Sequence, residues 1–213
     1  MKSLSLSRPL IIMMVGFPGA GKSFFASQFA DTFNAPRISI DRMRSDIFTN
    51  PTYSKDEDDL IKRLTDVQVQ ELLKTGKSFI IDGGCNPKIV RQEYERMAKS
   101  KGYGTLVIWV QTDGPTCKIR ATRRNPAARP GDKYNPPMNE ATLSTIAKRL
   151  TPPTLSENSM VISGKHTYPT QLRVVLKKLA PARDTVELNS HATQATQGPH
   201  GDISPTSRRV TIN

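Results

Sequence analysis

The chain is poor in aromatic residues, which make up 6% of its 213 positions, and it has one tryptophan, Trp109. It has only two cysteines, Cys85 and Cys117. Neither belongs to a Cys-x-x-Cys pair or stands at a metal-ligand spacing. That argues against a disulfide scaffold or a zinc ribbon and fits free thiols in a reducing cytoplasm. No apolar stretch approaches the ~18 residues that a membrane helix needs. The amino-terminal segment does pair basic residues, Lys2 and Arg8, with an apolar run, PLIIMMVGF, as a secretory signal does. The run is short, however, and leads straight into a glycine-rich loop that cleavage near Gly19-Ala20 would destroy. A buried parallel strand has the same appearance. A strand and a cytoplasmic location are expected.

What the chain has is positive charge. The formal net charge is +12. From residue 182 onward, Arg183, Arg208 and Arg209 balance Asp184, Glu187 and Asp202. The excess therefore belongs to the rest of the chain. A polyanionic partner suits it, whether nucleotide, nucleic acid or phosphorylated metabolite; so does a basic surface that merely confers solubility.

Strand and helix patterns alternate. Strands are expected at 10–15, 37–40, 78–81, 105–110 and 160–163, with helices between them and a last helix at 169–179. Ser54-Lys55-Asp56-Glu57 has the form of a capping box. It opens a helix with Leu60, Ile61, Leu64, Val67 and Leu72 on one broad apolar face. Such alternation predicts an α/β fold with a five-stranded parallel sheet covered by helices on both faces. Residues 1–181 form the expected domain. Residues 182–213 are rich in Thr, Ser, Asn, Gln, Gly and His, lack periodicity and read as a disordered tail.

The strongest motif is GFPGAGKSF, residues 16–24. Gly16, Gly21, Lys22 and Ser23 complete G-x-x-x-x-G-K-[ST] between an apolar run and an amphipathic helix. Backbone N–H groups of such a loop point at phosphate oxygens, and the helix start adds its positive end. Gly16, Pro18, Gly19, Ala20, Gly21, Lys22, Ser23 and Phe24 are the expected ATP contacts. Lys22 would neutralise the β- and γ-phosphates, and Ser23 would offer its hydroxyl to Mg²⁺.

Asp41 ends the second strand pattern, and in open parallel sheets ligands bind beyond the carboxyl ends of strands. It is placed to orient an acceptor hydroxyl and take its proton, or else to cap the next helical turn. Arg44, one turn on, could hold a phosphate on the acceptor. GFPGAGKS, ISIDRMR and FIIDGGCNPKIVR together resemble the polynucleotide-kinase-like branch of P-loop kinases, a family of ATP-binding AAA-domain proteins similar also to zeta-toxin-type and small-metabolite kinases. The resemblance covers about residues 9–180. It implies a P-loop kinase fold with a basic lid, Asp41 as general base and Arg44 as the contact to an acceptor phosphate.

Asp82 closes the third strand in the Walker-B manner, so it can hold Mg²⁺ beside Ser23. The next residue, Gly83, is not acidic. The Asp-Glu pair of motor-type ATPases is therefore absent. Asn86 is a candidate acceptor contact by resemblance and a candidate helix cap by position. Arg120 and Arg124, four apart with Arg123 between them, match the R-x-x-x-R pair that related kinases carry in a lid. The same charge run could simply be a solvated face. Within the 125–137 loop, Asp132, Lys133 and Tyr134 could read the acceptor, or the loop could exclude water.

The expected activity is ATP- and Mg²⁺-dependent transfer of a γ-phosphate to a hydroxyl, with the 5′-hydroxyl of a nucleic acid end as the leading acceptor. The alternatives are a small-molecule kinase acting on a nucleoside, sugar nucleotide or antibiotic, and a nucleotide-dependent switch that transfers nothing.

Overall fold

The computed structural model describes residues 8–125, 127 and 134–180. The tail at 182–213, and Arg129, Asp132 and Lys133 of the loop, lie outside the described residues. The element order is β1 (Leu10–Val15), α1 (Lys22–Phe33), β2 (Arg37–Ser39), α2 (Ile40–Ile47), α3 (Lys55–Leu73), β3 (Phe79–Asp82), α4 (Lys88–Ser100), β4 (Gly104–Gln111), α5 (Gly114–Thr122), α6 (Glu140–Lys148), β5 (Ser159–Ser163) and α7 (Tyr168–Leu179).

The five strands form one sheet in the order β2-β3-β1-β4-β5. Every pairing is parallel. This is the expected α/β architecture. β1 lies at the centre, and all six of its residues are buried. Its alternate side chains enter two cores. Leu10, Ile12 and Met14 pack with Phe25, Phe29 and Val175, from α1 and α7. Ile11, Met13 and Val15 pack with Val69, Leu73, Tyr94 and Ala98, from α3 and α4. A strand buried on both faces needs no polar alternation, so a sheet centre reads as an unbroken apolar run. Cys117 lies in the first core and Cys85 in the second, both as free thiols, with the sheet between them.

Three local expectations need correction. α2 begins at Ile40, inside the strand expected at 37–40, with Ser39 as its cap accepting from the Arg42 N–H. Asp41 thus sits in the first helical turn and is not the cap. α5 ends at Thr122, with Arg123 as its C-cap. Arg124 therefore lies past the helix and does not share a helical face with Arg120. On α3 the buried line is Ile61, Thr65, Val69 and Leu73. Leu60, Leu64 and Val67 remain 40%, 36% and 57% exposed. A helix laid on a sheet buries a narrow stripe, and here that stripe runs one position along from the apolar face read from the sequence.

Candidate active site

β1 ends between β3 and β4, where the connections leave for opposite sides of the sheet. That is the crevice in which parallel sheets bind ligands. The chain turns there through Gly16–Gly21, with the Ala20 N–H donating to the Phe17 carbonyl at 3.1 Å. Gly19 has φ +83, and a Cβ at that position would stand 2.2 Å from the Cys117 carbonyl oxygen. Only glycine lets α5 approach the loop so closely. On the other side a Cβ on Gly164 would meet the Ala20 carbonyl oxygen at 1.8 Å, and the Thr112 hydroxyl donates to that same carbonyl at 3.0 Å. The segment after β5 therefore buttresses the loop. α1 starts at Lys22 with no side-chain cap. Its first-turn N–H groups are left for an anion.

The Lys22 ammonium donates to the Gly16 and Phe17 carbonyls, both at 2.9 Å. Burial lowers its pKa, against the upward pull of the Asp82 and Asp41 carboxylates; Arg124 pushes the same way as burial. Lys22 thus stands in the fields of three charged groups singled out in the sequence. Pro18 and Ala20 are buried beneath the turn, and Phe24 is exposed on α1.

The Ser23 hydroxyl donates to Asp82 at 3.1 Å. The Asp82 carboxylate is buried, and its other oxygen lies 3.7 Å from the Arg37 guanidinium. Burial pushes the Asp82 pKa up to about 6, with Arg37 pulling down and Asp41 pushing up. A buried carboxylate and a hydroxyl side by side at the phosphate loop are hard oxygen donors, the set that Mg²⁺ takes when phosphate and water complete its shell. Among the described residues no cluster of three or more His, Cys, Asp or Glu side chains is assembled. Ser23 and Asp82 are thus the protein donors that fit the ion.

Asn86 does not cap α4, whose cap is Pro87. Its side chain brackets the start of the phosphate loop instead. Oδ1 accepts from the Gly16 N–H at 3.0 Å, and Nδ2 donates to the Gly16 carbonyl at 3.2 Å. The Asn86 amide thus positions the loop. The backbone of Asn86 is fixed in turn by Arg91, 1% exposed, which donates to the Asn86 carbonyl at 2.7 Å and the Cys85 carbonyl at 3.1 Å. The rest of that guanidinium grips Glu157 in a two-pronged pair at 2.6 and 3.1 Å.

Asp41 is half-buried on α2. Arg44, three residues on, is buried and does not reach out as a phosphate clamp would. It donates to Glu57 at 3.0 Å and Asp58 at 2.5 Å. The Tyr53 ring covers its guanidinium at 4.7 Å. Burial raises the Tyr53 pKa, and the next largest contribution is the negative field of Asp41. The phenol thus belongs to the same neighbourhood.

The two arginines expected in a lid make different contacts. Arg120 donates to the Gly164 carbonyl at 3.0 Å, on the segment that buttresses the loop. Arg124 donates to the Pro136 carbonyl at 3.4 Å, and its field reaches both Lys22 and Tyr53. Tyr134, one of the residues that could read the acceptor, carries the Arg42 guanidinium over its ring at 5.1 Å.

The model of the AAA_33 family, an AAA domain, matches residues 11–153. The chain belongs to this family. No curated protein matches it. Two solved structures share the fold of this AAA domain. An unliganded sugar kinase from Janibacter sp. HTCC2649 is 15% identical, with a TM-score of 0.59 over 82% of this chain and 97% of that one. The Mycobacterium tuberculosis APS kinase, in complex with AMPPNP and APS, is 15% identical, with a TM-score of 0.58 over 81% of this chain and 98% of that one. The fold is that of P-loop kinases.

Within this AAA domain, the contacts that Arg37, Tyr53, Glu57, Arg91 and Glu157 make around the site carry no signal in the local sequence. Arg91 closes the stretch FIIDGGCNPKIVR, so its neighbourhood was visible but its role was not. Glu157 stands 66 residues from Arg91, and no local pattern joins them.

Proposed function

We propose that this AAA domain is an ATP- and Mg²⁺-dependent phosphotransferase that moves the γ-phosphate to a hydroxyl. The single observation behind this reading is the geometry at the end of the loop, where the Ser23 hydroxyl donates to the buried Asp82 at 3.1 Å and the Lys22 ammonium is held on the Gly16 and Phe17 carbonyls at 2.9 Å. A site that only binds nucleotide needs the loop and Lys22. Asp41, half-buried in the first turn of α2, adds a second carboxylate whose field reaches Lys22.

The phosphate loop and the start of α1 bind and orient the triphosphate. Ser23 and Asp82 would hold Mg²⁺, which when bound neutralises charge on the phosphates. Asp41 orients the acceptor and takes its proton. The acceptor oxygen bonds to the γ-phosphorus, while the bond to the bridging oxygen breaks and its electron pair leaves on ADP. Arg124 stabilises charge on the transferred group from the lid side, and Arg120 holds the lid to the loop. The position of Asp41 supports its role as base. The commitment of Arg44 to two carboxylates weighs against an acceptor phosphate at that point, and with it the polynucleotide reading. A small-molecule acceptor fits at least as well, and the sugar and APS kinases of similar fold are in keeping with one. The positive charge remains the argument for a nucleic acid.

The test is an acceptor screen with labelled ATP, covering 5′-hydroxyl DNA and RNA and a panel of metabolites, with Lys22→Ala as the blank. Asp41→Asn is expected to lower transfer by about 10²- to 10⁴-fold while leaving ATP binding nearly intact. Unchanged transfer in Asp41→Asn would remove Asp41 as the base. Nucleotide binding without transfer to any acceptor would favour the switch.

A further inference from the structure

Arg37 and Asp82 stand on adjacent strands. The register sets Arg37 of β2 against Ile80 of β3, and Ser39 against Asp82. Residues two apart on a strand share a face of the sheet, so Arg37 and Asp82 are diagonal neighbours on one face. The Arg37 guanidinium reaches both residues proposed to hold Mg²⁺. It comes within 3.7 Å of one Asp82 oxygen and donates to the Ser23 carbonyl at 3.4 Å. The other Asp82 oxygen takes the Ser23 hydroxyl at 3.1 Å.

The hold on Asp82 is loose. Arg91 grips Glu157 at 2.6 and 3.1 Å, and Arg44 holds Glu57 at 3.0 Å and Asp58 at 2.5 Å. Those pairs are hydrogen-bonded and hold their partners in place. Arg37 stands beyond hydrogen-bond distance of its carboxylate. Its side chain is 26% exposed, against 2% for that of Asp82. Among the described residues no other cation pairs with Asp82, and Lys22 gives its hydrogen bonds to the Gly16 and Phe17 carbonyls. Arg37 also has room to stand back. It lines a cavity of about 490 Å³ with Ser27, Ser39, Asp31 and Asp46, and neither Ser23 nor Asp82 is among the lining residues. A guanidinium drawn into that cavity would still have carboxylates beside it.

A buried carboxylate left unpaired is costly, and one locked in a two-pronged ion pair has no oxygen to offer a metal. A loose counter-ion avoids both. We propose that Arg37 is the exchangeable counter-ion of the Mg²⁺ carboxylate: it balances Asp82, competes with the metal for it and so sets how tightly the metal is held. This rests on the phosphotransferase reading, in which Ser23 and Asp82 hold Mg²⁺. Competition and bracing differ in sign. A guanidinium and Mg²⁺ beside one carboxylate repel each other, so loss of the guanidinium tightens the hold on the metal. Loss of a brace would loosen it.

Calorimetry on the full chain tests it. AMPPNP is titrated into wild type and variants, once with excess Mg²⁺ and once with EDTA, at about pH 8.5, where few protons compete for a carboxylate. The nucleotide's own affinity for the metal is the same throughout. The ratio of the two binding constants therefore compares how well each protein's complex holds Mg²⁺. Arg37→Gln is expected to raise the ratio about tenfold, through tighter binding in Mg²⁺. Arg37→Lys, which keeps the charge, is expected to stay within about threefold of wild type. Asp82→Asn is expected to lower the ratio about tenfold or more. Circular dichroism confirms the fold of each variant. A ratio that is unchanged or lowered in Arg37→Gln overturns the inference. A ratio raised only by weaker binding in EDTA does the same, since it would make Arg37 a phosphate contact. An unmoved ratio in Asp82→Asn removes the metal from Asp82 and the inference with it. If the ratios move as expected but no acceptor receives phosphate from ATP, the transferase reading falls and the role of Arg37 stands.

Discussion

Asn86 holds Gly16 from both sides of one residue: its amide oxygen takes the Gly16 N–H at 3.0 Å, and its amide nitrogen gives to the Gly16 carbonyl at 3.2 Å. The same carbonyl receives the Lys22 ammonium at 2.9 Å. The first residue of the phosphate loop and the lysine of the same motif are thus referred to one side chain, 70 residues along the chain from Gly16.

Asn86→Ala removes both bonds. At about 1 kcal/mol each, their loss is expected to weaken AMPPNP binding about tenfold or more, with the fold kept. Titration calorimetry against wild type, with circular dichroism as the folding control, measures it. Unchanged affinity would show that the loop holds its shape without Asn86.

Glu157→Gln keeps the shape at position 157 and leaves the Arg91 guanidinium buried without its counter-charge. Breaking such a pair is expected to cost about 3–5 kcal/mol in stability, read as a lowered urea midpoint. Because Arg91 fixes the Asn86 backbone, the variant is also expected to weaken nucleotide binding. Its effect should be less than additive with that of Asn86→Ala. Strict additivity would mean that the pair braces α4 and nothing more.

Burial alone would raise the Glu57 pKa, but hydrogen bonds from Thr52 and Tyr53 and the Arg44 guanidinium outweigh it and hold the carboxyl at about 2. The unfolded value is near 4.5. A depressed pKa contributes stability above the unfolded value, and that stability is lost as pH falls toward the folded one. Glu57 is therefore expected to contribute on the order of 2–3 kcal/mol above about pH 5, declining between about pH 4.5 and 2. Urea unfolding of wild type and Glu57→Gln across this range isolates the term. The two curves should converge at the acid end, and a constant gap would contradict the assignment.

Arg124→Ala and Arg120→Ala should separate. Arg124, whose field reaches Lys22, is expected to lose about 10²- to 10³-fold in kcat with little change in KM for ATP. Arg120, tied to the Gly164 carbonyl, is expected to act mainly on KM. Steady-state kinetics on an acceptor found by the screen decides it. The reverse split would exchange their roles.

The parts that could be read along the chain are those whose signal is local. β1 and α1 fall at 10–15 and 22–33, as their apolar run and periodicity indicate. The phosphate loop is a single contiguous motif, and its glycines answer to contacts within the loop and just beside it. The pairing of Ser23 with Asp82 follows from one strand ending next to another. Structure departs from local pattern where two local signals compete. At Asn86-Pro87 the cap pattern was present, but the Asn86 amide makes better use of its donor and acceptor on Gly16. At 120–124 the four-residue spacing suggested one helical face, but the helix stops at Thr122 and sends Arg124 elsewhere.

The amino-acid order by itself determined the alternating strands and helices, the parallel sheet and the place of the glycine-rich loop at the end of β1. Hydrophobic period and a short glycine-rich motif are properties of neighbouring residues, and they survive without knowledge of the fold. Tertiary structure alone decided which charges are still available. Arg44 reads as a phosphate clamp until α3 brings Glu57 and Asp58 against it, and Asn86 reads as a cap until β1 ends beside it. A side chain's chemistry at a site depends on the partners that meet it across the fold, and those partners are set by packing, not by sequence distance.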